Sequence, residues 1–132
     1  MRLAKIPLWG WWSLAVVVVS LPWIGFTARP QWDRVYVVPF TDPQDKPRDL
    51  LSNVAMFVPF GFWFIAGRDS RHGFTRAAVA AAAVSVIAEA PQLFSTLRNP
   101  SATDVVSAMV GGAAGVAVRR VVVRLARPRR TP

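Results

Sequence analysis

The sequence contains no cysteine, a single histidine and little charge. Without cysteine, a disulfide framework and a thiolate metal site are both excluded. His72 has no potential ligand at a useful spacing, so we expect no metal site and no cofactor. No nucleophile elbow, P-loop or HExxH motif occurs, and the familiar catalytic sites of soluble enzymes are therefore missing. Charged residues make up only 17% of 132 residues, fewer than a soluble globule of this size carries.

What the chain has instead is apolar residues, which make up 53% of it and fall in four blocks. Charged, proline-bearing stretches separate the blocks, which is the pattern of an integral membrane protein. We predict one all-α transmembrane domain, 1–132, built as a four-helix bundle. Its spans are expected at about 7–28, 50–67, 77–97 and 102–120.

The first and last blocks raise questions of length. The first could be a cleaved signal peptide, but its apolar region is too long and Phe26 is bulky where cleavage after Ala28 requires a small residue, so an uncleaved span is favoured. The last block is only 14 residues, Val105 to Val118. It can cross a membrane only if residues 101–104 join the helix or if the following arginines extend to the headgroups.

The positive charge is placed as in a membrane protein. The net charge is +9, and most Lys and Arg residues lie beside the apolar blocks, which favours lipid headgroups over nucleic acid as the partner. Eleven of these cations fall on one side of the predicted membrane and five on the other. The positive-inside rule then places both termini in the cytoplasm. The basic tail is expected to fix this topology and to attract anionic lipids.

This topology brings five polar residues to similar depths, in or just beyond the outer half of the bilayer. Glu89 is the only charge in span 77–97, and an ionised carboxylate at that depth requires a partner or a cavity. Gln92 follows three residues later on the same helix face, with the helix-breaking Pro91 between them. We therefore predict a ligand-binding site formed by five residues: Asn53, Glu89, Gln92, Arg98 and Asp104.

Structural roles are open for each of these residues. Glu89 and Gln92 could be polar groups that hold helices together, Asn53 could cap or bridge, and Arg98 could only end a span. The "SATD" stretch matches a capping box, with Ser101 as N-cap and Asp104 reaching back to it. For the last span, Ser107, Gly111 and Gly115 predict close helix packing.

Three segments resemble the VanZ-like family of small bacterial membrane proteins: "NVAMFVPFGF", "EAPQLF" and "TDVVSAMVGGAAG", with an arginine before the last. The matching positions cover about half of the chain, from residue 50 to 118, and are Asn53, Phe57, Pro59, Gly61, Glu89, Gln92, Arg98, Asp104, Gly111 and Gly115. One position departs from the pattern, because Ala108 replaces the family's asparagine. A hydrogen-bonding role there is lost or passes to Ser107.

The resemblance implies an α-helical protein of the bacterial cell membrane, in a family whose founding member is linked to low-level resistance to teicoplanin. We expect it to bind or handle an envelope lipid or lipid-linked glycan precursor. Glu89 and Gln92 would hold hydroxyls or amides and Arg98 a phosphate. One alternative is a membrane enzyme with Glu89 as general acid or base. Another is a structural partner of other membrane proteins, or a homo-oligomer, assembled through Gly111 and Gly115.

Overall fold

The structure is a computed structural model and describes residues 6–67 and 71–126. Within these ranges it contains four α-helices and no strand, which confirms the all-α prediction. The helices are α1 (Leu8–Ser20), α2 (Pro47–Phe64), α3 (Gly73–Glu89) and α4 (Ala102–Ala126), with 3-10 turns at Trp32–Arg34 and Ala90–Phe94. The predicted basic N-terminus, Arg68 and the tail beyond residue 126 lie outside the described residues.

Helix α1 is shorter than its apolar block, since it ends at Ser20 rather than near residue 28. Leu21 already has extended backbone angles, φ −61° and ψ 145°, because the following Pro22 disfavours the helical conformation. The chain then turns through Gly25, whose φ of 75° suits glycine. The extended segment pairs with the turn after α3, where Thr96 donates from its amide to the Gly25 carbonyl at 2.8 Å.

Helix α4 is longer than its apolar block and runs for 25 residues. It begins directly after Ser101 and continues through Arg119 and Arg120, whose guanidinium groups lie 5.3 Å and 4.4 Å from the rings of Phe62 and Phe74. Two helical segments of the described chain are long and apolar enough to cross a membrane, Gly73–Phe94 and Ala102–Ala126.

Helix α4 packs against both α2 and α3, and glycines allow the close approach. Gly111 and Gly115 lie against the carbonyl groups of Val54 and Val58 on α2. Gly112 meets α3, where a Cβ would come within 2.9 Å of the Ala77 carbonyl oxygen. The backbones therefore touch where side chains would normally separate them.

Aromatic residues fill the space between α1 and α2. The Trp9 ring lies 5.4 Å from that of Phe64, and Phe60 is buried between the helices. The Trp12 indole donates a hydrogen bond of 2.8 Å to the Met56 carbonyl. These contacts anchor α1 on α2 and bring the carboxyl end of α1 to the same end of the molecule as the start of α2.

The loop between α1 and α2 crosses the start of α4. Tyr36 exchanges backbone hydrogen bonds with Pro100 and Ala102, at 2.9 Å and 2.8 Å. Further along, the Phe40 amide donates to the Thr103 hydroxyl at 2.8 Å. The loop is thus fixed over the amino-terminal ends of α2 and α4, and this arrangement encloses the candidate site.

Candidate functional site

The five polar residues singled out from the sequence line one cavity of about 140 Å³. It lies where the carboxyl ends of α1 and α3 meet the amino-terminal halves of α2 and α4. We call it the inner cavity. The structure thus brings together Asn53, Glu89, Gln92, Arg98 and Asp104. Its remaining walls are largely apolar, formed by residues such as Val16, Met56 and Phe57.

Glu89 is the last residue of α3, and both of its carboxyl oxygens have partners. Oε1 accepts a hydrogen bond of 3.3 Å from Gln92 Nε2, and Oε2 accepts one of 3.0 Å from the Ser101 amide. The contact with Gln92 follows from the 3-10 turn that begins at Ala90, next to Pro91, and keeps both side chains on one face. Neither Asn53 nor Arg98 hydrogen-bonds to Glu89.

Gln92 is 2% exposed, yet its side chain is only half satisfied. Its Nε2 donates to Glu89, whereas its Oε1 has no hydrogen-bond partner in the part of the chain that the structure describes. Leaving a buried acceptor unpaired costs about 1–3 kcal/mol. Gln92, which lines the inner cavity, therefore carries a buried acceptor without a partner.

The capping box at the start of α4 is formed in an unexpected way. The Ser101 hydroxyl does cap the helix, because it accepts from the Thr103 amide at 3.2 Å. The reciprocal bond to the Ser101 amide comes from Glu89 rather than from Asp104. Asp104 instead accepts a hydrogen bond from Asn53 Nδ2. The prediction that Asp104 reaches back to Ser101 was wrong, since Glu89 on another helix occupies that position.

Asp104 lies between Asn53, Arg98 and Glu89. Its carboxyl group lines the same cavity as that of Glu89, and Arg98 Nη2 lies 3.8 Å from its Oδ2. The Asp104 side chain is 14% exposed and that of Arg98 is 56% exposed, so the arginine stands at the rim.

Helix geometry explains why carboxyl groups collect here. The amino-terminal ends of α2 and α4 both lie at this end of the molecule, and each carries partial positive charge from unpaired amides. Asp49 and Asp104 fall in the first turns of these two helices, where negative charge is stabilised. The Ser101 amide that binds Glu89 belongs to the same α4 terminus.

Two further spaces adjoin the inner cavity. The outer basin, about 470 Å³, lies between residues 42–49, where the loop joins α2, and residues 97–104, and it shares Arg98 and Asp104 with the inner cavity. The α1 cleft, about 170 Å³, lies beside Val19 to Ile24 and shares Gln92 and Arg98. Arg98 therefore lines all three spaces, and the site extends from an apolar surface to a polar one.

Sequence reasoning predicted Arg98 and Asp104 but missed the other residues of the outer basin. Asp42 and Asn99 are buried, at 7% and 9% exposure, and they hydrogen-bond to each other across 57 positions in sequence. The "TDPQD" stretch gave a local signal, because the Asp42 carboxylate accepts from the Gln44 amide at 2.9 Å in an aspartate turn. No sequence pattern pairs that turn with Asn99. Among the described residues, no group of three His, Cys, Asp or Glu side chains is placed to hold a metal ion.

The structure shows the surroundings of Ala108, which stands where the family pattern has an asparagine. Ala108 is fully buried in the core, at 0% exposure. Ser107 does not substitute for the lost amide, because its hydroxyl donates to the Thr103 carbonyl of its own helix at 2.8 Å. The hydrogen-bonding function at this position is therefore absent from this chain.

Comparison with known proteins supports the resemblance. No curated protein sequence and no solved structure matches the chain. The VanZ/LLP1 family model matches residues 8–123, nearly the whole chain and well beyond the segments that carry the motifs. The protein therefore belongs to the VanZ-like family.

Proposed function

We propose that this VanZ-like protein is a multi-pass protein of the bacterial cell membrane, with both termini in the cytoplasm, that binds or handles an envelope lipid or lipid-linked glycan. The ligand lies in the inner cavity and the outer basin, at the outer surface of the membrane. Family membership supports the coarser statement of a cell-envelope protein linked to glycopeptide resistance.

Surface composition supports embedding in a membrane. In each of the two long apolar helices, only 33% of the most apolar window is buried. A core helix of a soluble protein would be mostly buried. Large apolar side chains such as Val79, Ile87 and Leu125 are instead exposed, at 60%, 58% and 81%. Exposed apolar surface of this kind is stable against lipid chains and unfavourable in water.

The observation that carries the ligand proposal is the unpaired Oε1 of Gln92. A residue that is 2% exposed would be expected to hydrogen-bond both ends of its amide, since no water competes for them. Here one end is bonded to Glu89 and the other has no partner, in a side chain that lines the same cavity as Asp104 and Asn53. A ligand group that donates a hydrogen bond to Oε1 removes the penalty of the unpaired acceptor.

The shape of the site fits an amphiphile. The outer basin is lined mostly by polar side chains, whereas the α1 cleft is bordered by Leu21, Trp23 and Ile24. Because Arg98 lines both, a headgroup in the basin and an acyl chain in the cleft can belong to one molecule. The exposed rings and side chains of this rim, with Trp23 at 69% and Ile24 at 77%, suit the headgroup region of a bilayer.

Catalysis is the second candidate, favoured by two carboxyl groups, those of Glu89 and Asp104, that line one cavity. Two neighbouring carboxyl groups can divide the roles of acid and base within one site. In that case Glu89 acts on the bound lipid as general acid or base.

Assembly with a partner through the α4 glycines is less supported. Gly111 and Gly115 are buried against α2 of the same chain, so a partner protein or second copy must use another face.

The test is the lipid that co-purifies with the full chain, identified by mass spectrometry after extraction in mild detergent. Gln92→Leu removes the free acceptor at similar volume and is expected to lose the lipid that wild type enriches. Gln31→Leu is the matched control, because Gln31 lines none of the three spaces and its side-chain Nε2 donates only locally, to the Arg29 carbonyl.

Equal lipid content in wild type and Gln92→Leu would contradict the binding proposal. Glu89→Gln then separates the two candidates. A binding protein keeps its lipid in altered amount, whereas an enzyme retains the unprocessed lipid and loses turnover.

A further inference from the structure

We propose that the site recognises a hydrogen-bond donor, a primary ammonium group on the lipid headgroup, rather than a phosphate alone. The inference rests on the proposed function and specifies the class of headgroup that the inner cavity and the outer basin take.

The first argument is the chemical type of the unpaired groups. Among the described residues, two buried side-chain atoms lack a hydrogen-bond partner, Gln92 Oε1 and Asn99 Oδ1. Gln92 lines the inner cavity and Asn99 lines the outer basin. Both atoms are carbonyl oxygens, which accept and cannot donate. A phosphate offers acceptors only, so it satisfies neither of them.

The second argument is the way the Asn99 amide is held. Its Nδ2 donates to Asp42 Oδ1 at 3.0 Å, which fixes the side-chain orientation and leaves Oδ1 as the free end. Asp42 is itself oriented by the Gln44 amide at 2.9 Å. With Asn99 only 9% exposed, the acceptor is preorganised rather than free to rotate into solvent.

The third argument is charge. The outer basin is lined by four aspartates against two cations, an excess of two carboxyl groups; these residues are Asp42, Asp45, Asp49, Asp104, Lys46 and Arg98. Arg98 already pairs with Asp104. A cation entering the basin is attracted, and an anion must overcome the carboxyl groups. Arg98, exposed at the rim, can still contact a phosphate that follows the ammonium group in the same headgroup.

A primary ammonium group meets these conditions together. It carries one positive charge and three donors on a small, compact group. A trimethylated ammonium has the same charge and no donor. The acceptors in the site therefore predict discrimination between two headgroups of equal charge, which simple electrostatic attraction does not give.

The experiment is a native mass spectrometry titration of the full chain with lipids of identical acyl chains. The probes are phosphatidylethanolamine, its mono- and dimethyl derivatives, phosphatidylcholine and phosphatidylglycerol. Binding is expected to weaken stepwise with methylation, because each methyl group removes a donor. Phosphatidylcholine is expected to bind at least about tenfold more weakly than phosphatidylethanolamine, since it has lost every charge-assisted hydrogen bond of the ammonium group. Free ethanolamine is added as a competitor. Displacement by it supports ammonium recognition and shows that the amine need not be lipid-borne.

Variants connect the preference to the site. Gln92→Leu is expected to reduce the preference for phosphatidylethanolamine. Asp49→Asn removes one exposed basin carboxylate without disturbing the core. It is also expected to reduce the preference for phosphatidylethanolamine. Asp33→Asn is the control, because Asp33 is an exposed carboxylate on the turn Trp32–Arg34 and does not line the basin.

The outcomes separate the two proposals. Equal affinity for phosphatidylethanolamine and phosphatidylcholine, or a preference for phosphatidylglycerol, overturns ammonium recognition. If Gln92→Leu still weakens binding in those cases, the lipid site itself stands. If Gln92→Leu changes the affinity for none of the lipids, both the site and its specificity fail.

Discussion

Replacing Gly115 by alanine is expected to destabilise the protein, although the same change usually stabilises a helix. In an exposed helix interior, glycine to alanine gains about 0.5–1 kcal/mol, because alanine loses less backbone entropy. At Gly115 an added Cβ would lie 2.7 Å from the Phe62 amide nitrogen and 2.9 Å from the Gly61 Cα, and it would also overlap the Val58 carbonyl. All three are backbone atoms of α2, which cannot rotate away.

The expected cost follows from these distances. Carbon contacts are most favourable at about 3.5–4.0 Å, so α4 must move away from α2 by about 1 Å over the neighbouring turns. Overpacking of this kind costs about 1–3 kcal/mol and sometimes more. After the helix-propensity gain is subtracted, Gly115→Ala is expected to lower stability by up to about 2 kcal/mol.

The assay is reversible unfolding of the purified protein in mixed micelles, with the melting temperature as a second measure. Ala117→Leu is the control, because Ala117 is an exposed α4 residue two positions away, and a change there is expected within about 0.5 kcal/mol. A Gly115→Ala protein as stable as wild type, or more stable, would show that α2 and α4 are not in backbone contact and would refute the reasoning.

Other changes probe the site and the topology. Reporter fusions after Pro132 and within residues 40–46 are expected to report a cytoplasmic C-terminus and an external loop; an external C-terminus would contradict the proposed orientation. Glu89→Gln is expected to insert normally and lose function, since it keeps the bond to the α4 amide but not the ionisable group; full complementation of a deletion strain would leave only a structural role. Ser101→Ala removes the α4 cap and is expected to cost about 0.5–2 kcal/mol in unfolding measurements. Trp12→Phe removes the indole hydrogen bond to α2, with an expected loss of about 1 kcal/mol; no change in melting would show that this bond contributes nothing.

The helices could be predicted because their signals are local. Apolar blocks and charge boundaries indicated all four, and the spacing of Glu89 and Gln92 on one face followed from helix period alone. The end of α1 was missed because apolar composition does not separate a helix from an extended segment. Pro22 carried the correct signal, since the residue before a proline avoids the helical conformation.

The contacts of the site were harder to predict because they join distant segments. Shared depth in a membrane predicted that the five polar residues lie near one another. It did not predict which of them pair, so the bond between Asn53 and Asp104 was not foreseen. The capping box was predicted from residues of α4 alone, whereas the carboxylate that accepts from the Ser101 amide belongs to Glu89 of α3. Asp42 and Asn99 meet only because the loop between α1 and α2 crosses the start of α4, and no periodicity in the sequence predicts that crossing.

The shortness of α1 has a consequence for the surrounding lipid. Thirteen helical residues span about 20 Å, whereas the hydrocarbon core of a bilayer is about 30 Å thick. In the proposed embedding, this hydrophobic mismatch falls on the outer side, beside the carboxyl end of α1, and the leaflet there must thin to meet it. Val19 and Ser20 at that end also border the inner cavity and the α1 cleft. Headgroups of the deformed leaflet would therefore lie level with the opening, and a lipid could enter sideways from the bilayer without first leaving it.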